Sequence, residues 1–336
     1  MKRAIFLLGV LGFALIVIGL PFDKSEAAPS IVIKAVNAWP VDHINTRYYK
    51  EFINRVNEKA KGELEIQFLG GPEIVSVFDQ LKAAGTGVVD MIHSVPAYYA
   101  GVVPEGNITD LAKHGFELNA LRESGIIDLY TQAFLEKGKV MFLGYAQSGM
   151  AFRIVTKKPV SKLEDIRGLK LRSIGGLSDV FFGELGASVV KISSAETYEG
   201  LQKGVVDGVL RNTMSLVEFK EYEVLKYILN TAITTPCTGV FVGEGKWNTI
   251  PKHLQTMMKK EMIAVEAEAN KYFGDLDKFQ LKELQEKYGM KVVYLSDQDA
   301  LKLNQVRAGA AIKDWIYKKA PVFGPPIYEK MVPYIK

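Results

Sequence analysis

An α/β fold built as two related lobes is what this 336-residue chain predicts, and three observations carry it. Strand-like and helix-like runs alternate from Ile31 onward, and the alternation starts afresh near Leu169. One phrase also occurs twice: "FDQLKAAGTGVVDMI" at Phe78–Ile92 and "YEGLQKGVVDGVL" at Tyr198–Leu210. An aromatic, a leucine, a glycine and "GVVD" recur in order, at equivalent places in two α/β units.

In the first unit, "IVIKAV" after Pro29 reads as a buried strand leading into "NAWPVDH". A helix from about Ile44 to Lys61 follows, with Phe52, Ile53 and Val56 at helical spacing. "LEIQFL" is a strand ending in Gly70-Gly71-Pro72, "IVSVFDQLKAAG" a helix, and "GVVDMIHSV" a strand. This β-α-β-α-β order argues a mainly parallel sheet. In the second unit "LKLRS", "ASVVKI" and "VVDGVL" are strands, with "GLSDVFFGELG" and "SSAETYEGLQKG" as helices; Ser193 and Glu196 form a capping box for the latter. Long helical tracts, Pro251–Tyr288 and Asp299–Lys318, flank the strand "KVVYL" and are placed to brace both units.

Composition and motifs exclude several classes of function. The net charge of +4 is dispersed, and the tightest basic cluster, Lys157-Lys158, is too short for a nucleic-acid track. No G-x-S-x-G, H-E-x-x-H or phosphate-binding loop occurs, and His43, His93, His114 and His253 are scattered. His93 at a strand end reads as a satisfied structural histidine, and Cys237, the single cysteine, as a small buried hydrophobe. No intramolecular disulfide is possible. Neither an enzyme nor a cofactor or metal site is indicated.

The N-terminus carries Lys2-Arg3, an apolar run from Ala4 to Leu20, and small residues at Ser25 and Ala27. This is a secretory signal with cleavage expected after Ala27, and the run is also near the lower length of an uncleaved anchor. An exported, periplasmic protein is expected.

"GLKLRSIGG", Gly168–Gly176, is the most informative stretch. An apolar strand delivers Arg172 at its tip and then breaks into two glycines. Arginine's fork of donors matches a carboxylate. The glycines let backbone approach a guest, and the free N–H groups of the helix that follows would favour an anion.

The whole run Leu163–Leu210, from "LEDIRGLKLRS" to "KGVVDGVL", resembles the signature region of the DctP-type family, and Gly62–Met91 is similar to that family's first-lobe segment. These are the extracytoplasmic solute-binding proteins of tripartite ATP-independent periplasmic (TRAP) transporters. The resemblance implies a two-lobed periplasmic binding protein fold, its lobes joined by crossing strands and a long helix. Residues 28–150 with about 236–275 would form one lobe, and 151–235 with about 276–336 the other.

It also implies that Arg172 grips the carboxylate of a small organic acid, that the two glycines keep the cleft wall open beside it, and that membrane permease subunits are the partners of a monomeric receptor. Some members place a second arginine where Phe152 stands here, with Arg153 one residue out of phase. Arg211 and Asn212 replace the family's Asn-Pro, so Arg211 stands at the ligand-contacting asparagine's place. The metal-binding pattern of the keto-acid members is missing. Asn37, Trp39, Glu73, Tyr98 and Tyr99, at strand exits of the first lobe, complete the candidate site. Without the resemblance, the residues also suit an exported ABC-type or sensory binding module, and less well a secreted α/β hydrolase.

Overall fold

A computed structural model describes residues 30–114, 118–173 and 175–335. The expected signal segment lies outside them. The first unit runs β1 (Ile31–Asn37), α1 (Arg47–Ala60), β2 (Leu64–Gly70), α2 (Gln80–Gly85) and β3 (Met91–Ser94), then α3 (Leu118–Glu123), α4 (Ile126–Ala133) and β4 (Val140–Gln147). The second holds β5 (Arg153–Thr156), β6 (Lys170–Ser173), α5 (Leu177–Glu184), β7 (Ser188–Lys191), α6 (Thr197–Gln202), β8 (Gly208–Arg211), α7 (Thr213–Glu218) and β9 (Tyr227–Leu229). The chain returns through β10 (Thr238–Gly243) and α8 (Glu244–Thr249) into α9 (Lys252–Glu286). It ends with β11 (Lys291–Val293), α10 (Asp297–Arg307), α11 (Ala310–Lys319) and α12 (Gly324–Ile335).

Each lobe is a mainly parallel sheet with one reversed strand. The first has order β2-β1-β3-β10-β4 and β10 runs against both neighbours; the second has order β11-β9-β5-β8-β6-β7 and β5 runs against both of its own. The reversed strands are the ones that enter a sheet from the opposite lobe. Where the two crossing segments pass, Phe152 N–H donates to Thr234 O (2.9 Å) and Ile233 N–H to Phe152 O (2.8 Å). The connection between lobes is therefore itself a two-chain ribbon.

Helix α9, 35 residues long, is the second connection. Its Met258, Met262, Val265 and Ala269 pack into the core containing α1 and β10, while Leu284 belongs to the core containing Val209 and Ile228. The C-terminal helices straddle both lobes: α11 packs on α5 and α12 on α4. Tyr334 O accepts from Lys113 N–H (2.8 Å) and Ile335 O from Arg307 Nη2 (2.7 Å). Residues at the end of the 276–336 segment thus touch the first lobe as well as the second.

Several helices are shorter than their patterns, α6 among them at Thr197–Gln202. The tract from Ile74 is helical only from Gln80, because Ile74 and Phe78 are exposed and provide no buried stripe. The Asp299–Lys318 tract divides at Gly309, whose backbone is extended.

Candidate functional site

Parallel strands release their side chains and chain ends at the carboxyl edge of a sheet, where ligands of α/β proteins bind. Arg172 sits one residue from that edge of β6 and has no exposed surface. Its Nε donates to Ile192 O (3.1 Å) and its Nη2 approaches Ser194 Oγ (3.4 Å), whereas Nη1 makes no hydrogen bond. Burial first, and the neighbouring Arg211 charge second, push its pKa down to about 10, while the adjacent Tyr98 side chain acts the other way. Arg172 stays a cation at neutral pH, held by the Ile192 carbonyl and Ser194 with its Nη1 unspent.

Arg211, at the end of β8, is buried in the same cavity wall but fully engaged. Nε donates to Glu221 Oε2 (2.9 Å) and Nη2 to Glu221 Oε1 (2.5 Å), a forked ion pair in which both side chains are buried. Ser194 takes the remaining edge through its Oγ (3.0 Å) and carbonyl (3.2 Å). Asn212 spends its Oδ1 on the Ser215 N–H (2.9 Å), capping α7.

The first lobe closes the cavity down to a volume of about 30 Å³. Trp39, Val95 and Tyr98 supply apolar and aromatic wall, Phe152 comes from the crossing ribbon, and Pro236 and Cys237 follow it. Asn45, Gln147 and Thr238 add neutral polar groups. Behind them, His93 Nδ1 meets Asn37 Oδ1 (2.9 Å) and Nε2 meets Thr238 Oγ1 (2.7 Å). Complete burial pushes the His93 pKa down to about 3, so it is a neutral, doubly bonded strut. Burial also holds the Cys237 thiol protonated. The cavity wall presents hydrogen-bonding and apolar surface, with no activated nucleophile. Among the described residues no group of three or more His, Cys, Asp or Glu is placed to hold a metal ion.

Six of the ten residues singled out from sequence come together here: Trp39, Tyr98, Phe152, Arg172, Arg211 and Asn212. Four do not line this cavity. Arg153 lies opposite Arg211 in register, which puts both side chains on one face of the sheet, contrary to the phase inferred from sequence. Its guanidinium is nevertheless taken by Asp277 of α9, with bonds of 3.1 and 3.0 Å, and serves the lobe connection. Asn37 is consumed by Trp39 O, Thr46 and His93, so it positions Trp39 from behind. Tyr99 is core, its hydroxyl donating to Val77 O (3.0 Å) and accepting from Ser94 Oγ (2.7 Å). Glu73 is exposed in a groove outside the cavity, with Trp39 and Tyr98 on its inner side; its carboxylate accepts from Gly71 N–H (2.6 Å), which lowers its pKa.

The glycines after Arg172 also act differently from expectation. Gly175 and Gly176 have φ of +93° and +59°, and a Cβ at Gly176 would overlap the Asn107 side chain of the first lobe. They allow the lobes to touch rather than keeping the cleft wall open. The N-terminus of α5 faces that contact, with Asp179 in its first turn bonded to Ser173, and forms no part of the cavity. Sequence reasoning missed Asn45, Gln147, Ser194 and Thr238. The last residue of β4 and the first of β10 are sheet-edge positions that the strand-tip rule could have named; Asn45, in a short turn, carried no signal.

Comparison with known proteins agrees with this geometry. Residues 35–311 match the family model DctP, described as bacterial extracellular solute-binding protein, family 7. A solute-binding protein of Albidiferax ferrireducens is 27% identical over 316 residues, 88% of this chain and 90% of its own. A TRAP periplasmic solute-binding protein from Desulfovibrio salexigens, solved with bound orotic acid, superposes with a TM-score of 0.82 at 19% identity, covering 91% of this chain and 99% of that one. DctP7 of Bordetella pertussis, an extracytoplasmic receptor binding pyroglutamic acid, gives 0.79 at 19% identity, covering 89% and 98%. With its two-lobed fold and most of its length matched, the chain belongs to the DctP family of TRAP extracytoplasmic solute-binding proteins, which bind and do not catalyse.

Proposed function

We propose that this receptor captures a small monocarboxylate between its lobes in the periplasm and delivers it to the membrane permease subunits of a TRAP transporter. The observation that carries the ligand class is the inequality of the two cavity arginines. Arg172 has unspent N–H groups and no acidic partner, whereas the Arg211 charge is balanced by Glu221. One free cation fits one carboxylate, gripped end-on through Nη1 and Nη2. A second carboxylate would enter without a counter-charge and lose its hydration.

Phe152 stands where a second arginine occurs in some relatives, and with Trp39, Val95 and Tyr98 it lines the space beyond the clamp. That surface favours a hydrophobic or aromatic tail over a short C4-dicarboxylate. Because Arg172 belongs to one lobe and Trp39 and Tyr98 to the other, a bound acid touches both and stabilises the closed form. A thermal-shift screen tests the reading, since a ligand of the folded state alone raises the melting temperature with its affinity. Cyclic and aryl monocarboxylates are expected to stabilise. Stabilisation by succinate or malate with none from monocarboxylates would reverse the choice.

A further inference from the structure

Three side chains of this cavity bury polar atoms that have no partner: Arg172 Nη1, Gln147 Nε2 and Asn45 Oδ1. All three residues are at least nine-tenths buried, with exposures of 0%, 2% and 4%. An unmet buried polar atom is costly, and folded proteins keep few of them without reason. Here they converge on one cavity from both lobes. Arg172 answers to a carboxylate; Gln147 and Asn45, both from the first lobe, are left as one donor and one acceptor. Of their neighbours, Thr238 bonds to His93 and Asn212 caps α7 through its Oδ1.

Resting on the monocarboxylate reading, we infer that Asn45 and Gln147 determine specificity by reading a polar function on the ligand's tail. The ligand is a compact monocarboxylate that also presents one hydrogen-bond donor and one acceptor, most simply an amide N–H and C=O. A pure hydrocarbon tail would close the lobes over two unsatisfied amides. A polyhydroxylated sugar acid would bring more hydroxyls than these two groups and the Trp39, Val95 and Phe152 wall can satisfy. A site built to bond a polar group rejects the analogue lacking it far more strongly than an apolar pocket rejects a missing methylene.

Calorimetry with two shape-matched pairs, pyroglutamate against cyclopentanecarboxylate and orotate against benzoate, tests this on the whole mature chain. In at least one pair the amide-bearing acid should bind about 100-fold tighter or more. Gln147→Leu and Asn45→Leu should each cut that ratio roughly tenfold. Gln147→Met, nearly isosteric, and Asn45→Ala replace either leucine variant that does not fold, and should cut the ratio likewise. Hydrocarbon twins binding as tightly in both pairs, or ratios unmoved by substitution at both positions, would overturn the inference while leaving the Arg172 clamp standing. Binding of none of the four acids would remove the monocarboxylate reading and this inference with it.

Discussion

The two lobes use the same local device and put it to different electrostatic ends. In the first, Gly87 (φ +79°) follows α2, and Asp90 closes the turn: its N–H donates to Lys34 O and its Oδ2 accepts from Lys34 N–H, both at 2.8 Å. In the second, Gly204 (φ +74°) follows α6, and Asp207 does the same to Lys170, at 2.7 and 2.9 Å. The left-handed glycine ends the helix and the aspartate ties the incoming strand to its parallel neighbour. The repeated "GVVD" is thus a piece of architecture. What the neighbouring strand tips carry differs: the first lobe presents Asn37, His93 and Gln147, all neutral, and the second presents Arg172 and Arg211. A common scaffold sets where a strand ends, and the residue at the tip sets what that lobe recognises.

The sharpest way to break this division of labour is to remove the second lobe's free cation. Arg172→Ala should leave the fold intact and weaken binding by roughly 2–5 kcal/mol, since the ligand carboxylate then enters the cavity unpaired. Arg172→Lys should recover little, because a point charge cannot reproduce the fork. Titration calorimetry on the three proteins decides it, and equal affinities would sink the clamp. Next comes the balanced cation. Glu221→Gln should release Arg211, raising affinity for succinate or malate about tenfold while costing on the order of 3 kcal/mol of stability through the broken buried pair. Unchanged dicarboxylate affinity in a folded variant would show that Arg211 is unavailable for reasons other than Glu221.

Much of this was legible from residues alone. Alternation of runs, the duplicated phrase and the strand-end arginine led to the lobes, the mainly parallel sheets and Arg172. The rest was not, for physical reasons. Which of two adjacent arginines faces a ligand depends on partners far along the chain: Asp277 claims Arg153 and Glu221 claims Arg211. The cavity joins residues 39, 45, 147, 172, 211 and 238 only when the lobes meet, so spacing cannot reveal it. The contact between Gly176 and Asn107 likewise exists only across the cleft, which is why the glycines invited a different reading.

Two buried acids also contrast. Glu221 is paired with Arg211, whereas Asp110 in the first lobe has an Oδ1 without a partner and, through burial, a pKa pushed up to about 8 from 3.8, with the Cys237 N–H opposing the shift. The folded state therefore holds a proton that the unfolded chain releases above about pH 4, so Asp110 lowers stability increasingly as pH rises through the window to 8. Asp110→Asn removes this dependence. The variant should be more stable than the parent by something on the order of 2 kcal/mol at pH 8 and nearly equal to it at pH 4. Comparing the two proteins at each pH cancels the opposite contributions of His43 and His93, whose lowered values weaken the fold toward acid. A difference that does not grow with pH would mean Asp110 is ionised in the fold.

The smallest expected effect tests the repeated device itself. Asp90→Ala and Asp207→Ala each strip one carboxylate acceptor from a strand N–H, a loss of about 1 kcal/mol by the usual worth of such a bond. Asp90 should cost somewhat more, because it is the more buried of the two and its Oδ1 also lies 3.5 Å from Lys246 Nζ. Lys246 in turn donates to Val32 O (3.0 Å), so the first copy is tied into β1 twice over. Urea unfolding of the two variants gives both numbers on one scale. If the aspartates are equivalent struts, both variants lose stability, Asp90→Ala leads by a few tenths of a kcal/mol, and neither changes ligand affinity, because neither residue lines the cavity. Should Asp207→Ala weaken binding while Asp90→Ala does not, the second copy would be setting the position of Arg172 through β6, and the two lobes would differ in architecture as well as in charge.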